Sequence, residues 1–185
     1  LAGFVLGLKK KAVSLSDRLM VYVVSATLVG ARLGHFIFYE NPSEYLNNPL
    51  ELFMIRQGGL ASHGAAIAII LSLFLFSRKI QKEAQGLSTL RLLDLVSIPA
   101  ALVGGWIRIG NFFNQEILGT PTDLPWGVLF GHPRDDGAAS SFVARHPVQL
   151  YEAFFYFAVF AALWRLSFRP ATFLKEGRIF SLFLI

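Results

Sequence analysis

Apolar residues in this chain run in long unbroken blocks, without the three-to-four spacing of a surface helix on a soluble domain. Four blocks, Leu19–Tyr39, Leu60–Ser77, Leu92–Phe113 and Val148–Phe168, approach the ~18–20 residues an α-helix needs to cross the hydrocarbon core. Two shorter blocks at the ends, Leu1–Leu8 and Ile179–Ile185, read as partial spans. A span in lipid must satisfy its backbone hydrogen bonds internally, and the apolar–polar alternation of a barrel strand is not seen. The pattern therefore predicts an all-α, polytopic integral membrane helical bundle. The chain opens on Leu and stops inside an apolar block, which predicts a single transmembrane domain over 1–185, truncated at both ends. No cleavable leader is evident, and a first span that is itself an anchor needs none.

Composition agrees: 54% of the 185 residues are hydrophobic and 18 are Phe, with a mean hydropathy of +0.53. The net charge of +5 matters less than where it sits. Lys9, Lys10, Lys11 and Arg18 lie in the first connector, Arg78, Lys79, Lys82 and Arg91 in the third, and Arg165, Arg169, Lys175 and Arg178 in the fifth. The alternate connectors lean acidic: Glu40, Glu44 and Glu51 against Arg56, then Glu116, Asp123, Asp135 and Asp136 against Arg134 and Arg145. The positive-inside rule puts the odd connectors in the cytoplasm and the even ones outside. Basic connectors placed this way face anionic membrane lipids, so nucleic acid is not an expected partner.

The first outer connector, 41–57, mixes Pro42, Tyr45 and Pro49 with Leu, Phe and Met and reads as an amphipathic segment lying at the interface. The second, 115–145, holds Pro121, Pro125 and Pro133; at about thirty residues it is long for a link and suits a lid or binding element. Trp126 and its apolar neighbours suit the headgroup layer. With no cysteine, thiolate nucleophiles, disulfides and Cys metal sites are excluded from this stretch. Zinc-ligand spacing, phosphate loops and dinucleotide fingerprints are absent too, so neither a metal nor a cofactor is expected.

Candidate chemistry gathers at the outer ends of the spans. Arg108, Asn111 and Gln115 recur at i, i+3, i+7, which puts a guanidinium and amides on one helical face. An ionised side chain at membrane depth costs roughly 2.5–3.5 kcal/mol on insertion scales, so Arg108 is expected to have a partner, and its face suits an anionic headgroup. His63 lies among Gly58, Gly59, Ala61, Gly64 and Ala65; these small neighbours admit a second helix or a lipid glycerol. It fits a general base near neutral pH or a helix–helix hydrogen bond. In Arg145-His146-Pro147-Val148-Gln149-Leu150-Tyr151-Glu152, Pro147 suits the first helical position and His146 the cap. Gln149 and Glu152 then share a face, with Arg145 one turn earlier. An Arg partner, Arg108 or Arg32, would keep Glu152 charged, whether for reaction or to lock helices together. Arg32 suits lipid phosphate or a structural pair, His35 packing, and Asp94 a charge at the start of its own span. One polar pocket open to the outer leaflet accounts for all these positions. A transporter would place polar groups nearer the bilayer centre or in related halves; a lipid-binding membrane protein without turnover is the other alternative.

Four of these blocks, in order, resemble the prolipoprotein diacylglyceryl transferase family: Gly30-Ala31-Arg32-Leu33-Gly34; Gly58 to Gly64 around His63; Arg108-Ile109-Gly110-Asn111-Phe112 with Glu116 and Gly119; and Arg145-His146-Pro147 through Glu152. The resemblance implies about seven spans in a full-length member, each of some twenty apolar residues. It also implies transfer of diacylglyceryl from phosphatidylglycerol to the thiol of a prolipoprotein lipobox cysteine, with release of glycerol phosphate. The place implied is the bacterial cytoplasmic (inner) membrane, with the active site toward the outer leaflet. By carry-over His63 and Arg108 are the expected catalytic residues. Arg108, Asn111, Glu116, Gly119, Glu152, Arg32, His146 and Gln149 are expected at the substrate. Ala65 stands where many members have a second glycine, and Thr120 where many have arginine.

Overall fold

A computed structural model describes residues 2–39, 59–81, 87–131, 143–169 and 175–185, and only the backbone of 2–13. The predicted amphipathic segment 41–57 and residues 132–142 of the outer loop lie outside the described residues. The elements are α1 (Ala2–Tyr39), α2 (Ser62–Ile80), α3 (Thr89–Phe113), α4 (Val148–Ser167) and α5 (Arg178–Phe183). Among the described residues there is no strand, only isolated bridges at Pro121, Val128 and Arg145. Four segments are long and apolar enough to cross a membrane: Ser14–Tyr39, Ser62–Ile80, Thr89–Phe113 and Val148–Ser167. The fold is thus all-α and polytopic, with span limits within a few residues of those read from the apolar blocks.

One predicted break is not there. Helix α1 runs 38 residues through Lys9, Lys10 and Lys11, so the first partial span, its connector and the first full span form one element. The residues between contain neither Gly nor Pro, and Lys, Ala, Leu and Arg are good helix formers. Charge marks where a helix leaves lipid; it does not end the helix.

The chain divides into two compact units, Leu1–Leu92 and Leu93–Ile185. In the first, α1 and α2 pack antiparallel, with Gly34 at Gly64, Gly30 at Ala68 and Tyr22 at Phe76. The crossing is close because glycines face each other: a Cβ on Gly64 would sit 2.6 Å from Gly34 Cα and would collide with the Gly30 carbonyl. Lipid tails are as apolar as leucine, so helices in a membrane associate through such close packing rather than through the hydrophobic effect. Ser88 Oγ accepts the Arg91 amide at 3.2 Å and caps the start of α3.

In the second unit α3 and α4 also run antiparallel, with Trp106 edge-on to Phe157 at 5.6 Å and Ile98 in one apolar cluster with Leu163 and Ile179. Asp94 does more than mark the start of its own span. It is buried and accepts the backbone amides of Gly177 at 2.8 Å and Phe180 at 2.9 Å. The first amides of a helix lack internal partners and carry partial positive charge. The carboxylate of α3 therefore caps α5.

Candidate active site

Helix α3 ends at Phe113 in a Schellman motif. Gln115 N–H donates to Phe112 O and Glu116 N–H to Asn111 O, each at 3.1 Å. The left-handed position of that motif usually belongs to glycine; here Gln115 occupies it with φ 55°, and Ile117 follows with φ 57°. Such conformations cost on the order of 1–3 kcal/mol each and persist where the surroundings fix them. The predicted face of Arg108, Asn111 and Gln115 is corrected accordingly: Gln115 lies past the helix end, and Asn114 takes its place near the charged groups.

The helix end and the first turns of α4 form a continuous polar chain. Arg108 Nε lies 2.8 Å from Glu152 Oε2; the contact is an ion pair rather than an aligned hydrogen bond, since no donor among the described residues points at that oxygen. Of the two partners sequence offered Glu152, the structure supplies Arg108. Arg108 Nη1 donates to Asn111 Oδ1 at 3.4 Å, and Asn111 Nδ2 to Glu116 Oε1 at 2.7 Å. Asn114 Nδ2 reaches the same oxygen at 3.2 Å. Gln149, wholly buried, donates from Nε2 to the Glu116 carbonyl at 2.8 Å. The arginine and glutamate side chains are 25% and 44% exposed, so the pair is open to a ligand; of its supports Gln149 is buried, Asn111 and Glu116 are half-buried and Asn114 is exposed. A guanidinium carries five N–H donors; the two contacts named engage Nε and Nη1.

The outer loop is anchored beside this chain. Arg145 pairs its backbone with Val128 in both directions, at 2.9 and 3.0 Å, and donates from Nη1 to the Gly119 carbonyl at 3.0 Å. It was expected one turn before Gln149 and Glu152; instead it ties the loop to itself. Gly119 is needed for close approach, because a Cβ there would meet Val148 Cγ1 at 2.8 Å and collide with the His146 carbonyl. His146 is not the cap of α4. Pro147 is, with φ −75° and ψ 66°, an inverse γ-turn closed by Val148 N–H on His146 O at 2.8 Å. The His146 ring turns to Tyr151, Nδ1 to hydroxyl 3.3 Å, and that hydroxyl accepts Trp126 Nε1–H at 2.7 Å.

In the first unit, nearly buried Arg32 donates from Nη1 to the Gly59 carbonyl at 3.2 Å. His35 stacks on Tyr39 at 5.5 Å. His63, exposed in the first turn of α2, stands edge-on to Phe38 at 4.8 Å and beside Tyr39 at 5.7 Å. The structure thus assembles Arg32, His35 and His63 in one unit. In the other it assembles Arg108, Asn111, Glu116, Gly119, His146, Gln149 and Glu152. Sequence reasoning missed Asn114, Trp126 and Tyr151. Asn114 was findable at i+3 from Asn111, whereas nothing in the spacing links Trp126 to Tyr151.

The sequence model of the family described as prolipoprotein diacylglyceryl transferase matches residues 5–185. A phosphatidylglycerol–prolipoprotein diacylglyceryl transferase of Protochlamydia amoebophila is 47% identical over 175 residues, 95% of this chain and 46% of the relative. A protein of the same name from Tolumonas auensis is 45% identical over 91% of the chain and 60% of its own length. Another from Porphyromonas gingivalis is 42% identical over 91% and 59%. The chain spans about half the length of the curated relatives it matches. With a family model that covers nearly all of it and relatives this similar, the chain belongs to the prolipoprotein diacylglyceryl transferase family.

Proposed function

We propose that the protein containing this chain transfers diacylglyceryl from phosphatidylglycerol to the lipobox cysteine of a prolipoprotein and releases glycerol phosphate. The observation that carries the reading is the open ion pair of Arg108 and Glu152 at 2.8 Å, at the end of a span-length helix. The names of the relatives supply the two substrates.

The thiolate sulfur attacks the terminal glyceryl carbon, a C–S bond forms, and the C–O bond to phosphate breaks with its electron pair going to the phosphate oxygen. Charge on the phosphate grows as that bond breaks. A guanidinium held at those oxygens binds the transition state more tightly than the ground state, and its fork suits paired hydrogen bonds to phosphate. Glu152 and Asn111 hold Arg108 in place, and Glu116 holds Asn111. Gly119 lets the loop close beside them. Arg32 is a second cation suited to lipid phosphate.

The incoming thiol, with a free pKa of about 8.5, is a few per cent thiolate at neutral pH, so a base accelerates the step. His63 is our candidate. His146 suits a different role. Its Nδ1 lies against the Tyr151 hydroxyl, which Trp126 also holds, and a ring fixed in this way suits contact with a phosphate oxygen or peptide carbonyl.

The charge alternation between connectors supports a bacterial inner-membrane location with this site toward the outer leaflet, where phosphatidylglycerol, other membrane lipids and the lipobox of a signal peptide are within reach. The test uses purified full-length protein, phosphatidylglycerol vesicles and a lipobox peptide. A diacylglyceryl mass gain on cysteine, absent with a serine peptide, is expected; no gain on cysteine rejects the reading.

A further inference from the structure

Glu116 sits in backbone that its own sequence does not favour. Its neighbours on both sides, Gln115 and Ile117, have φ of 55° and 57°, and Ile117 is β-branched, the side-chain type least suited to that region. Such a shape is kept only where several neighbours fix it. The Glu116 amide is fixed by the Asn111 carbonyl, and one carboxylate oxygen by Asn111 and Asn114. The carbonyl is fixed from another helix, by Gln149 Nε2 at 2.8 Å.

Gln149 lies in the first turn of α4, three residues before Glu152, so the two share a face. That face meets the polar chain twice: Glu152 at the cation, Arg108, and Gln149 at the turn that carries the anion, Glu116. A slide or rotation of α4 would move both ends together. Burial points the same way. Gln149 is wholly buried, and its Oε1 has no hydrogen-bond partner among the described residues. A half-satisfied buried amide is unfavourable beside an apolar side chain of equal length. What distinguishes glutamine here is the bond its Nε2 makes.

We propose that Gln149 is the positioning residue of Glu116: it fixes the turn after α3 to the first turn of α4 and so sets how far the Glu116 carboxylate and Asn111 stand from Arg108 and Glu152. Wholly buried, it acts through Glu116 and not at the substrate, where the family resemblance had placed it. Its effect on turnover rests on the transferase reading; its effect on the turn does not.

The test is Gln149→Met, equal in length and without the donor, in full-length protein with phosphatidylglycerol vesicles and a lipobox peptide. A misplacement of about 1 Å can cost on the order of a hundredfold in rate. The expected result is a kcat loss of roughly ten- to a hundredfold with KM for lipid and peptide within about twofold. In a Glu116→Gln background the same substitution should cost less than about twofold, since the two act as one unit. Wild-type turnover, or an equal loss in both backgrounds, overturns the proposal; a merely structural residue gives the equal loss. Hydrogen exchange supplies a readout independent of activity. Residues 111–118 should lose protection in the variant while residues 95–105 keep theirs, and unchanged exchange over 111–118 overturns the proposal even if the wild type transfers nothing. That last result on the wild type would remove the transferase reading alone. Should Gln149→Met not fold, Gln149→Asn keeps the amide one methylene short of its target, and the same loosening is expected.

Discussion

Arg108 meets Glu152 through Nε and Asn111 through Nη1, and the proposed chemistry gives it a phosphate as well. Arg108→Lys keeps the charge but loses the fork and the fixed orientation. Turnover is expected to fall by about a hundredfold or more, the scale of losing one oxyanion donor, read as the rate of mass gain on the peptide. Wild-type rates would end the role given to the guanidinium. Tyr151→Phe is milder: it frees both the Trp126 indole and the His146 ring, so KM should rise severalfold with kcat nearly kept, as for lost uniform binding. The charge pair was legible in sequence to within two candidates, Arg108 and Arg32, since a glutamate at the end of an apolar span asks for a cation. The choice between them depends on which spans are neighbours, and span order in space is not written in apolar blocks. The misplacement of Gln115 has a different cause: helical spacing of polar residues continues past Phe113, but the backbone does not. Only the left-handed turn, with glutamine where glycine is usual, removes Gln115 from that face.

At the level of elements, the apolar blocks gave the spans because a membrane requires closed backbone hydrogen bonding over a fixed thickness. They could not give the start of α1, where lysines change the solvent without stopping the helix. The α1–α2 crossing rests on absent side chains. Gly64→Val would press its new atoms against Gly34 and the Gly30 carbonyl, and overpacking of this kind costs about 1–3 kcal/mol. A lower unfolding temperature in detergent is expected, with displacement of Gly59 from Arg32. An unchanged melting curve would mean the crossing is looser than described. Asp94→Ala removes the cap of α5, a loss of about 0.5–2 kcal/mol for a helix cap. Faster hydrogen exchange over residues 177–183 is the measurement that checks it.

For the whole molecule, the alternation of basic and acidic connectors makes a prediction that single cysteines can test, since residues 1–185 contain none. Asp123→Cys and Gln81→Cys, each the sole thiol of this stretch and each exposed, should label oppositely with a membrane-impermeant maleimide on intact cells. Asp123→Cys should react at once and Gln81→Cys only after permeabilisation; the reverse order would invert the proposed orientation. The four segments legible as spans and the charge rule that orients them are properties of solvent partition, which is why they can be read without a structure. Asp94 shows what such reading leaves out. Its two amide donors arrive late in synthesis, since Gly177 follows it by 83 positions, and a nascent chain must hold that anion in water, at the rim of the bilayer, while α4 is threaded. Its burial therefore waits for α5 to arrive, and a ribosome-tethered chain stopped before Gly177 should leave the first turns of α3 open to aqueous reagents.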